Sequence, residues 1–146
     1  TLVATVYGDD QPEKSTTEME ALLANYPNLK GVIAPTTVGI AAAAQVVQSR
    51  GIADQVKVTG LGLPSEMREF VKDGTVEGFQ LWSPYNEGWL AAYFAVGLKD
   101  GTMTNMVGGT FEVPNLGTIT INEGNSINTQ AALTTFNAGN IDDFDF

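Results

Sequence analysis

The chain has 146 residues, 43% of them hydrophobic, and its 17 acidic and 7 basic side chains give a formal net charge of −10. This balance excludes the clustered Lys and Arg of a nucleic-acid footprint and opposes binding to acidic membrane surfaces. The chain contains neither Cys nor His, which excludes disulfides, Ser-His-Asp and Cys-His triads, and the common zinc sites.

Up to Trp82, short apolar runs alternate with amphipathic helical stretches. The predicted strands cover residues 2–7, 31–34, 56–60 and 75–82, and the predicted helices run from Ser15 to Pro27, from Pro35 to Gly51 and from Pro64 to Gly74. Ser15 and Glu18 have the spacing of a capping box. Short strands that alternate regularly with helices indicate right-handed βαβ units. We therefore predict an α/β fold, a Rossmann-like parallel sheet flanked by helices on both faces.

After Trp82 the pattern changes. Ser83-Pro84 ends the strand, and residues 85–98 predict an apolar helix whose packing face carries Trp89, Leu90, Tyr93, Phe94 and Leu98. Two short strands are predicted at residues 109–113 and 116–121, around Pro114-Asn115. The last residues, 140–146, contain an acidic cluster without the spacing of a calcium loop, so we predict a solvated terminus and no metal site.

Polar and aromatic residues follow the carboxyl ends of the predicted strands, where ligands bind in open parallel sheets. The candidate ligand-binding residues are Asp9, Asp10, Pro35, Thr36, Thr37, Gly62, Leu63, Trp82 and Asn86. Carboxylates, hydroxyls and an amide suit the hydroxyl groups of a neutral sugar, and an aromatic face suits the C–H face of its ring. The pattern favours recognition over catalysis, with no catalytic residue and no cofactor.

Several candidates also have an interpretation without a ligand. Asp9 and Asp10 are typical of a solvated turn or helix cap, Thr36 and Thr37 of helix N-caps, and Trp82 of a packing residue. An α/β enzyme that uses Asp9 or Asp10 as acid or base is a further alternative, and the absence of His counts against it.

Four distinctive stretches of sequence are spread along the chain from its first residues to its last. They read LVATVYGDD, GVIAPTTVGIAAAAQVV, VTGLGLPSEMREFVKDGTVEGFQLW and NIDDFDF. In combination they resemble the type I periplasmic binding proteins for sugars, in particular the rhamnose-binding and autoinducer-2-binding branch. The resemblance implies the substrate-binding component of an ABC transporter, which captures a small sugar such as rhamnose outside the cytoplasmic membrane and delivers it to a membrane permease. An autoinducer-2-type signal receptor and the effector domain of a LacI-type transcription regulator are the alternatives.

Receptors of this family have two lobes, and the resemblance implies that the chain is the later part of one. Residues 1–81 then form most of the C-terminal ligand-binding lobe. Residues 82–115 contribute a hinge crossing with a helix and a strand of the N-terminal lobe, and residues 116–146 contribute a second crossing and the tail. The chain begins in a strand-like run without a signal peptide, so we expect it to be a fragment of a longer protein. The helix at residues 85–98 carries too many aromatic side chains to stay in water, so we expect the chain to associate with a missing N-terminal part or with a second copy.

The resemblance also implies roles for single residues. Pro35 and Thr37 are similar to a loop that touches ligand in the autoinducer-2-binding branch. Asp10 stands where ribose-type relatives have an aromatic ring, Gly62 where many sugar-binding relatives have Asp, and Trp82 where ribose-type relatives have Gln. These departures favour a deoxy-sugar such as rhamnose over ribose or galactose.

Overall fold

The structure is a computed structural model that describes residues 1–125 and 133–146. The helices are α1 (Pro12–Asn25), α2 (Thr37–Arg50), α3 (Pro64–Lys72) and α4 (Pro84–Asp100), and the strands are β1 (Gly31–Ala34), β2 (Lys57–Gly60), β3 (Gly78–Trp82), β4 (Thr110–Val113), β5 (Gly117–Thr120) and β6 (Leu133–Asn137). Short 3-10 turns lie at Glu123–Asn125 and Ile141–Asp143. The second crossing proposed for residues 116–146 includes residues 126–132, which lie outside the described part of the chain.

The chain divides into two compact units. Unit 1 comprises Thr1–Leu81 and Thr135–Phe146, and unit 2 comprises Trp82–Thr134. Among the described residues, no helix is both long and apolar enough to cross a membrane. Nor do the described residues contain a group of three or more His, Cys, Asp or Glu that could hold a metal ion.

Unit 1 is built on a parallel sheet. Strands β1 and β2 pair in parallel, with Ala34 opposite Gly60. A parallel bridge between Leu61 and Gln80 brings β3 beside β2, and β3 pairs in turn with β6. This arrangement, with helices packed against the sheet, confirms the predicted α/β fold.

One face of this sheet packs against helices. Its buried strand residues include Val58, Phe79 and Phe136, and they share a core with residues of all three helices of unit 1. On the helices, the core residues are Met19, Ile40, Ala43, Ala44, Val46, Val47, Met67 and Val71. The small Ala side chains of α2 allow this helix to approach the sheet closely. Complete burial of a side chain such as that of Met67 stabilises the fold by about 1.5–3 kcal/mol.

The opposite face of the sheet is open within the described residues. Ile33 lies opposite Thr59 in the register of β1 and β2, and its side chain is 78% exposed. Gln80 on β3 is also exposed, and its amide Nε2 donates to Oγ1 of Thr135 at 3.0 Å. The predicted helical cover on both faces is therefore wrong for the described residues, because α1, α2 and α3 all contribute to the single core on the first face.

Residues 1–8 have no regular secondary structure, so the predicted strand over Leu2–Tyr7 is wrong for this structure. A β-strand exists through hydrogen bonds with a neighbouring strand, and within the described residues β1 pairs with β2 alone. Without such a neighbour the apolar side chains of this run stay in solvent, and Leu2 is 82% exposed.

The first helix starts earlier than its capping box predicts. It begins at Pro12, and Gln11 is its N-cap without a side-chain hydrogen bond. Proline suits the first helical position because its missing N–H would have no partner there. Ser15 lies inside the helix and is buried, so the predicted capping role is wrong. Gly8 approaches Ser15 so closely that a Cβ at Gly8 would lie 2.2 Å from its Oγ.

The helix of unit 2 packs with a narrower face than its sequence predicts. Leu90 on α4 is buried with Val113 and Ile119 of the β4–β5 hairpin. Phe94 stacks on Phe111 with ring centroids 5.3 Å apart. Trp89 and Leu98 are 43% and 42% exposed, so their predicted place in the packing face is wrong for the described residues.

The hairpin itself confirms the two short strands predicted around Pro114-Asn115. Strands β4 and β5 are antiparallel, with Phe111 opposite Ile119 and Val113 opposite Gly117. Asn115 takes a φ of 68° and Gly117 a φ of 77°, which are left-handed conformations that Asn and Gly adopt in tight turns.

The end of the chain is packed rather than solvated. Ile141 is 1% exposed, and the ring of Phe144 lies edge-on against Phe136 with centroids 4.9 Å apart. The prediction of a solvated terminus is therefore wrong for these apolar side chains. Asp142 and Asp145 keep exposed carboxylates, which face the cations of α3. An acidic run with interspersed apolar residues gives no local signal for such docking.

Candidate functional site

The carboxyl ends of the strands in unit 1 place two of the predicted loops side by side. The N–H of Leu61 donates to the carbonyl of Ala34 at 3.0 Å, which joins the end of β2 to the end of β1. The N–H of Gly62 donates to the carbonyl of Gln80 at 3.3 Å, which joins the same loop to β3. The loops at residues 35–37 and 61–63 therefore leave the sheet at neighbouring points of one edge, as expected for a ligand site in a parallel sheet.

In the loop at residues 35–37, Thr36 has a structural role. Its Oγ1 accepts a hydrogen bond from the N–H of Gly39 at 3.0 Å, so it is the N-cap of α2. The capping interpretation is thus confirmed for Thr36, whereas it is wrong for Thr37, which is the first residue of α2. Because a hydroxyl accepts and donates, the O–H of Thr36 is still able to donate to a ligand. Pro35 is exposed and Thr37 half-buried.

We expect Thr36→Ala to lower the free energy of unfolding by about 1 kcal/mol, because the substitution removes this cap. Thr36→Ser keeps the capping oxygen and is expected to stay close to wild type. Urea denaturation of both variants measures the difference. Thr37→Ala is the matched control, and an equal loss in that variant would contradict the capping role.

The loop at residues 61–63 has no polar side chain, and the N–H groups of Leu61 and Gly62 already donate to the sheet. Gly62 is buried, and a Cβ built on it would lie 2.8 Å from Cγ of Met67 and 3.3 Å from Cδ2 of Phe79. Leu63 is the N-cap of α3 without a side-chain hydrogen bond, and its side chain is half-buried. The core thus leaves no room at this position for the side chain of Asp, which by the resemblance many sugar-binding relatives have here.

Asp9 and Asp10 form a turn at the start of α1. Both have positive φ, 51° and 56°, a conformation that Asp tolerates better than most residues. Asp9 makes an ion pair with Lys14. The carbonyl of Gly8 accepts the N–H of Gln11 at 2.9 Å. The turn interpretation is confirmed, and Asp10 has an exposed side chain.

Trp82 and Asn86 belong to unit 2. Trp82 is the last residue of β3 and is 37% exposed. The N–H of Asn86 donates to Oγ of Ser83 at 3.2 Å, which makes Ser83 the N-cap of α4. Asn86 therefore lies in the first turn of this helix, with its side chain half-buried.

Sequence reasoning missed Gln80 and Thr135, whose hydrogen bond lies on the open face of the sheet. A signal for Gln80 exists in the strand Gly78–Trp82, because the alternation of β-strands places Phe79 and Leu81 in the core and Gln80 on the other face. Thr135 lies on β6, a strand with too few apolar residues to be recognised.

Asp73 lies at the end of α3, away from the candidate loops. Its burial opposes ionisation, but hydrogen bonds from Gln48 and from the N–H and side chain of Thr75 outweigh it and hold the pKa of Asp73 below its ordinary value of 3.8. A carboxyl group whose folded-state pKa is lowered stabilises the fold above its unfolded pKa, and this contribution is lost as the pH falls through the folded value.

We therefore expect Asp73→Asn to be less stable than wild type near neutral pH. The difference in free energy of unfolding is expected to shrink as the pH falls from about 6 to about 2. Urea titrations at several pH values measure it. A difference that is constant over this range would contradict the assigned pKa shift.

A parallel α/β unit with its candidate ligand residues in loops at the carboxyl edge of the sheet belongs to the class of α/β ligand-binding domains. Residues 1–103 match a family described as the periplasmic binding protein domain. The chain belongs to this family.

Solved structures agree with this assignment. A sugar ABC transporter protein from Actinomyces odontolyticus is 46% identical with a TM-score of 0.82, and the match covers 100% of this chain and 46% of that one. An ABC transporter solute-binding protein from Clostridium phytofermentas with bound L-rhamnose is 38% identical with a TM-score of 0.77, covering 98% and 48%. LsrB from Clostridium saccharobutylicum in complex with AI-2 is 23% identical with a TM-score of 0.75, covering 100% and 49%, and shows the fold alone.

The chain thus spans about half the length of the structures that it matches. The matches confirm the resemblance to sugar-binding receptors that was based on its sequence motifs. The prediction that the chain is not an enzyme agrees with these matches, since the matched family is described as a binding-protein domain and the second structure as a solute-binding protein.

Proposed function

We propose that this chain is part of the sugar-binding component of an ABC transporter, which captures a small sugar outside the cytoplasmic membrane and delivers it to a membrane permease. The observation that carries the proposal is the match of the whole chain, at 46% identity, to a sugar ABC transporter protein. The two adjacent loops at the carboxyl edge of the sheet support it, because they offer hydroxyl and backbone groups suited to sugar hydroxyls.

The proposed ligand is rhamnose or a similar deoxy-sugar. The relative from Clostridium phytofermentas has bound L-rhamnose and is 38% identical to this chain. The chemistry of the loop at residues 35–37 supports the same choice, since Pro35 is apolar and exposed. In such surroundings, burial of a methyl group on the sugar ring costs less binding free energy than burial of a hydroxyl group that has no hydrogen-bond partner.

Within this proposal, the polar contacts come from side chains that the structure leaves accessible. Asp10, Thr36 and Thr37 are the proposed partners of sugar hydroxyls from unit 1. Unit 2, taken by itself, carries the candidate ligand residues Trp82, which has an aromatic face, and Asn86. Unit 1 is assigned to the C-terminal lobe, and α4 with the β4–β5 hairpin to the N-terminal lobe.

We also propose that the rest of the protein, or a second copy of the chain, covers the apolar surface that unit 1 exposes. The extended residues Leu2 and Tyr7 and the sheet residue Ile33 are each more than two-thirds exposed. Contiguous exposed apolar side chains mark interaction surfaces in soluble proteins.

A thermal-shift panel on the full-length protein tests the proposed function, with rhamnose, ribose, galactose, fucose and autoinducer-2 as ligands. A ligand at about 100 times its dissociation constant adds about 2.7 kcal/mol of stability. We expect rhamnose to raise the Tm by about 5–10 °C and ribose and galactose to leave it within about 1 °C.

The outcomes separate the alternatives. A rise with autoinducer-2 alone would assign the protein as a signal receptor instead. No rise with any of the five compounds would contradict the sugar-binding proposal and favour a regulator with another effector. Thr37→Val is expected to reduce the rise, whereas Thr118→Val, on the exposed hairpin of unit 2, is the matched control.

A further inference from the structure

We propose that the C-terminal segment at residues 141–146, here named the tail, positions the loop at residues 61–63 for ligand binding, with Arg68 as the positioning residue that fixes the tail. The inference rests on the proposed function, because it assigns a role to an element behind the candidate ligand loop. Three sets of contacts within unit 1 support it.

The first contact caps the helix that follows the loop. Helix α3 begins at Pro64, which has no N–H, and its N-cap Leu63 makes no side-chain hydrogen bond. The N–H of Ser65 donates instead to the carbonyl of Phe146 at 3.1 Å. A tail carbonyl thus satisfies an amide that the first turn of the helix leaves without an intrahelical partner.

The second set holds the tail through Arg68, which projects from α3. Its Nη2 donates to the carbonyl of Phe144 and to Oδ1 of Asp145, the latter at 3.2 Å. Its Nε lies 3.7 Å from Oδ1 of Asp142. The Arg68 side chain is only 25% exposed, so these contacts are screened less than those of a surface ion pair. Because Arg68 bonds the tail backbone as well as its carboxylates, it fixes the path of the main chain.

The third set connects the tail to the loop through aromatic rings. Phe144 lies edge-on against Phe136 at 4.9 Å, and Phe136 stacks on Phe79 at 5.1 Å. Phe79 lies beside Gly62, since a Cβ built on Gly62 would come within 3.3 Å of its ring. Close-packed interiors transmit displacements through such contacts.

Two of these contacts reach the loop. The bond from Ser65 to the tail holds the start of α3 immediately after Leu63, and the stacked rings reach Phe79, which lies beside Gly62. A tail that loosens therefore frees the loop at residues 61–63. The cost appears as weaker binding, since a mobile loop must be ordered when the ligand binds.

The test compares Arg68→Met with wild type in the full-length protein. Methionine keeps most of the apolar stem and removes every donor. We expect the dissociation constant for rhamnose, measured by calorimetry well below the Tm, to rise about 10-fold. Hydrogen exchange of the peptide spanning residues 61–67 is expected to accelerate. Arg68→Lys keeps a donor for the Phe144 carbonyl and is expected to recover part of the affinity.

Lys72→Met is the matched control. Lys72 lies on the same helix and pairs with Asp142 at 2.7 Å, but the contact is exposed and involves no backbone group. We expect its dissociation constant to stay within about 2-fold of wild type. If rhamnose binding is weakened equally in both variants, Arg68 acts only through its positive charge, and the inference is overturned.

Two further outcomes are decisive. If Arg68→Met lowers the Tm but leaves both the dissociation constant and the exchange of residues 61–67 unchanged, the tail is merely structural and the inference is wrong. If wild type binds none of the sugars, the proposed function fails, whereas the exchange measurement still decides whether the tail holds the loop. Should Arg68→Met fail to fold, Phe144→Leu removes the ring contact with the same expected results.

Discussion

Gly60→Ala is expected to lower the free energy of unfolding by at least about 3 kcal/mol. Gly60 ends β2 with a φ of 148°, a conformation that residues with a side chain rarely adopt, and a Cβ there would lie 1.8 Å from the carbonyl oxygen of Ala34. The same oxygen accepts the N–H of Leu61. The clash therefore separates β1 from β2 at the point where the two candidate loops leave the sheet.

Gly74→Ala is the matched control for this prediction. Gly74 also has a positive φ, 81°, but a Cβ there has nothing within 4 Å. The control variant thus measures backbone strain alone, and we expect a loss of about 1–2 kcal/mol. Urea denaturation of both variants gives the comparison. Equal losses would show that strain, and not the contact with Ala34, dominates at Gly60.

Elements with strong local signals were predictable from the sequence. Helix α2 has a capping Thr36 at its start and Gly51 with a φ of 63° just past its end, and its predicted extent agrees with the structure. The hairpin around Asn115 has similar local turn chemistry. In each case the residues that decide the conformation lie within a few positions of the element that they bound.

The failures have causes that lie far away in the sequence. Whether Leu2–Tyr7 forms a strand depends on a pairing partner, and its own apolar pattern carries no information on that. Ser15 and Pro12 are competing start signals for α1, and the packing of Ser15 against Gly8 decided between them. The docking of the tail requires Arg68, more than 70 positions before the residues that it bonds.

The candidate site also has parts that the sequence predicts and parts that depend on contacts between distant residues. Sequence patterns indicated the loops at the carboxyl edge, because strand ends are marked by local breakers such as Pro35 and Pro64. They did not separate side chains that serve the fold from those free for a ligand. Thr36 caps a helix and Asp9 pairs with Lys14, so only the contacts of the folded chain reveal that these groups already have partners.

The role of Gly62 also depends on the fold, and it leads to the second large prediction. The resemblance places Gly62 where many sugar-binding relatives have Asp, which makes Gly62→Asp the natural attempt to alter sugar preference. We expect the substitution to cost about 5 kcal/mol and to unfold most of the protein, whose total stability is of the order of 5–15 kcal/mol. A Cβ at this position would lie 2.8 Å from Met67 and 3.2 Å from Ile40, both fully buried.

The charge of the introduced carboxylate adds to this steric conflict. Burial without a partner raises the pKa of a carboxyl group, so the charge penalty is largest at neutral pH, decreases as the pH falls towards the unfolded value of about 4, and is absent below it. Gly62→Ala isolates the steric part and is expected to cost about 1–3 kcal/mol at any pH. Near-ultraviolet circular dichroism and urea titrations at pH about 4 and about 7 measure both variants. If Gly62→Asp instead stays folded at neutral pH and binds a sugar more tightly, the side chain at position 62 faces the ligand and not the core. Core packing beneath this loop would then not explain the preference for a deoxy-sugar.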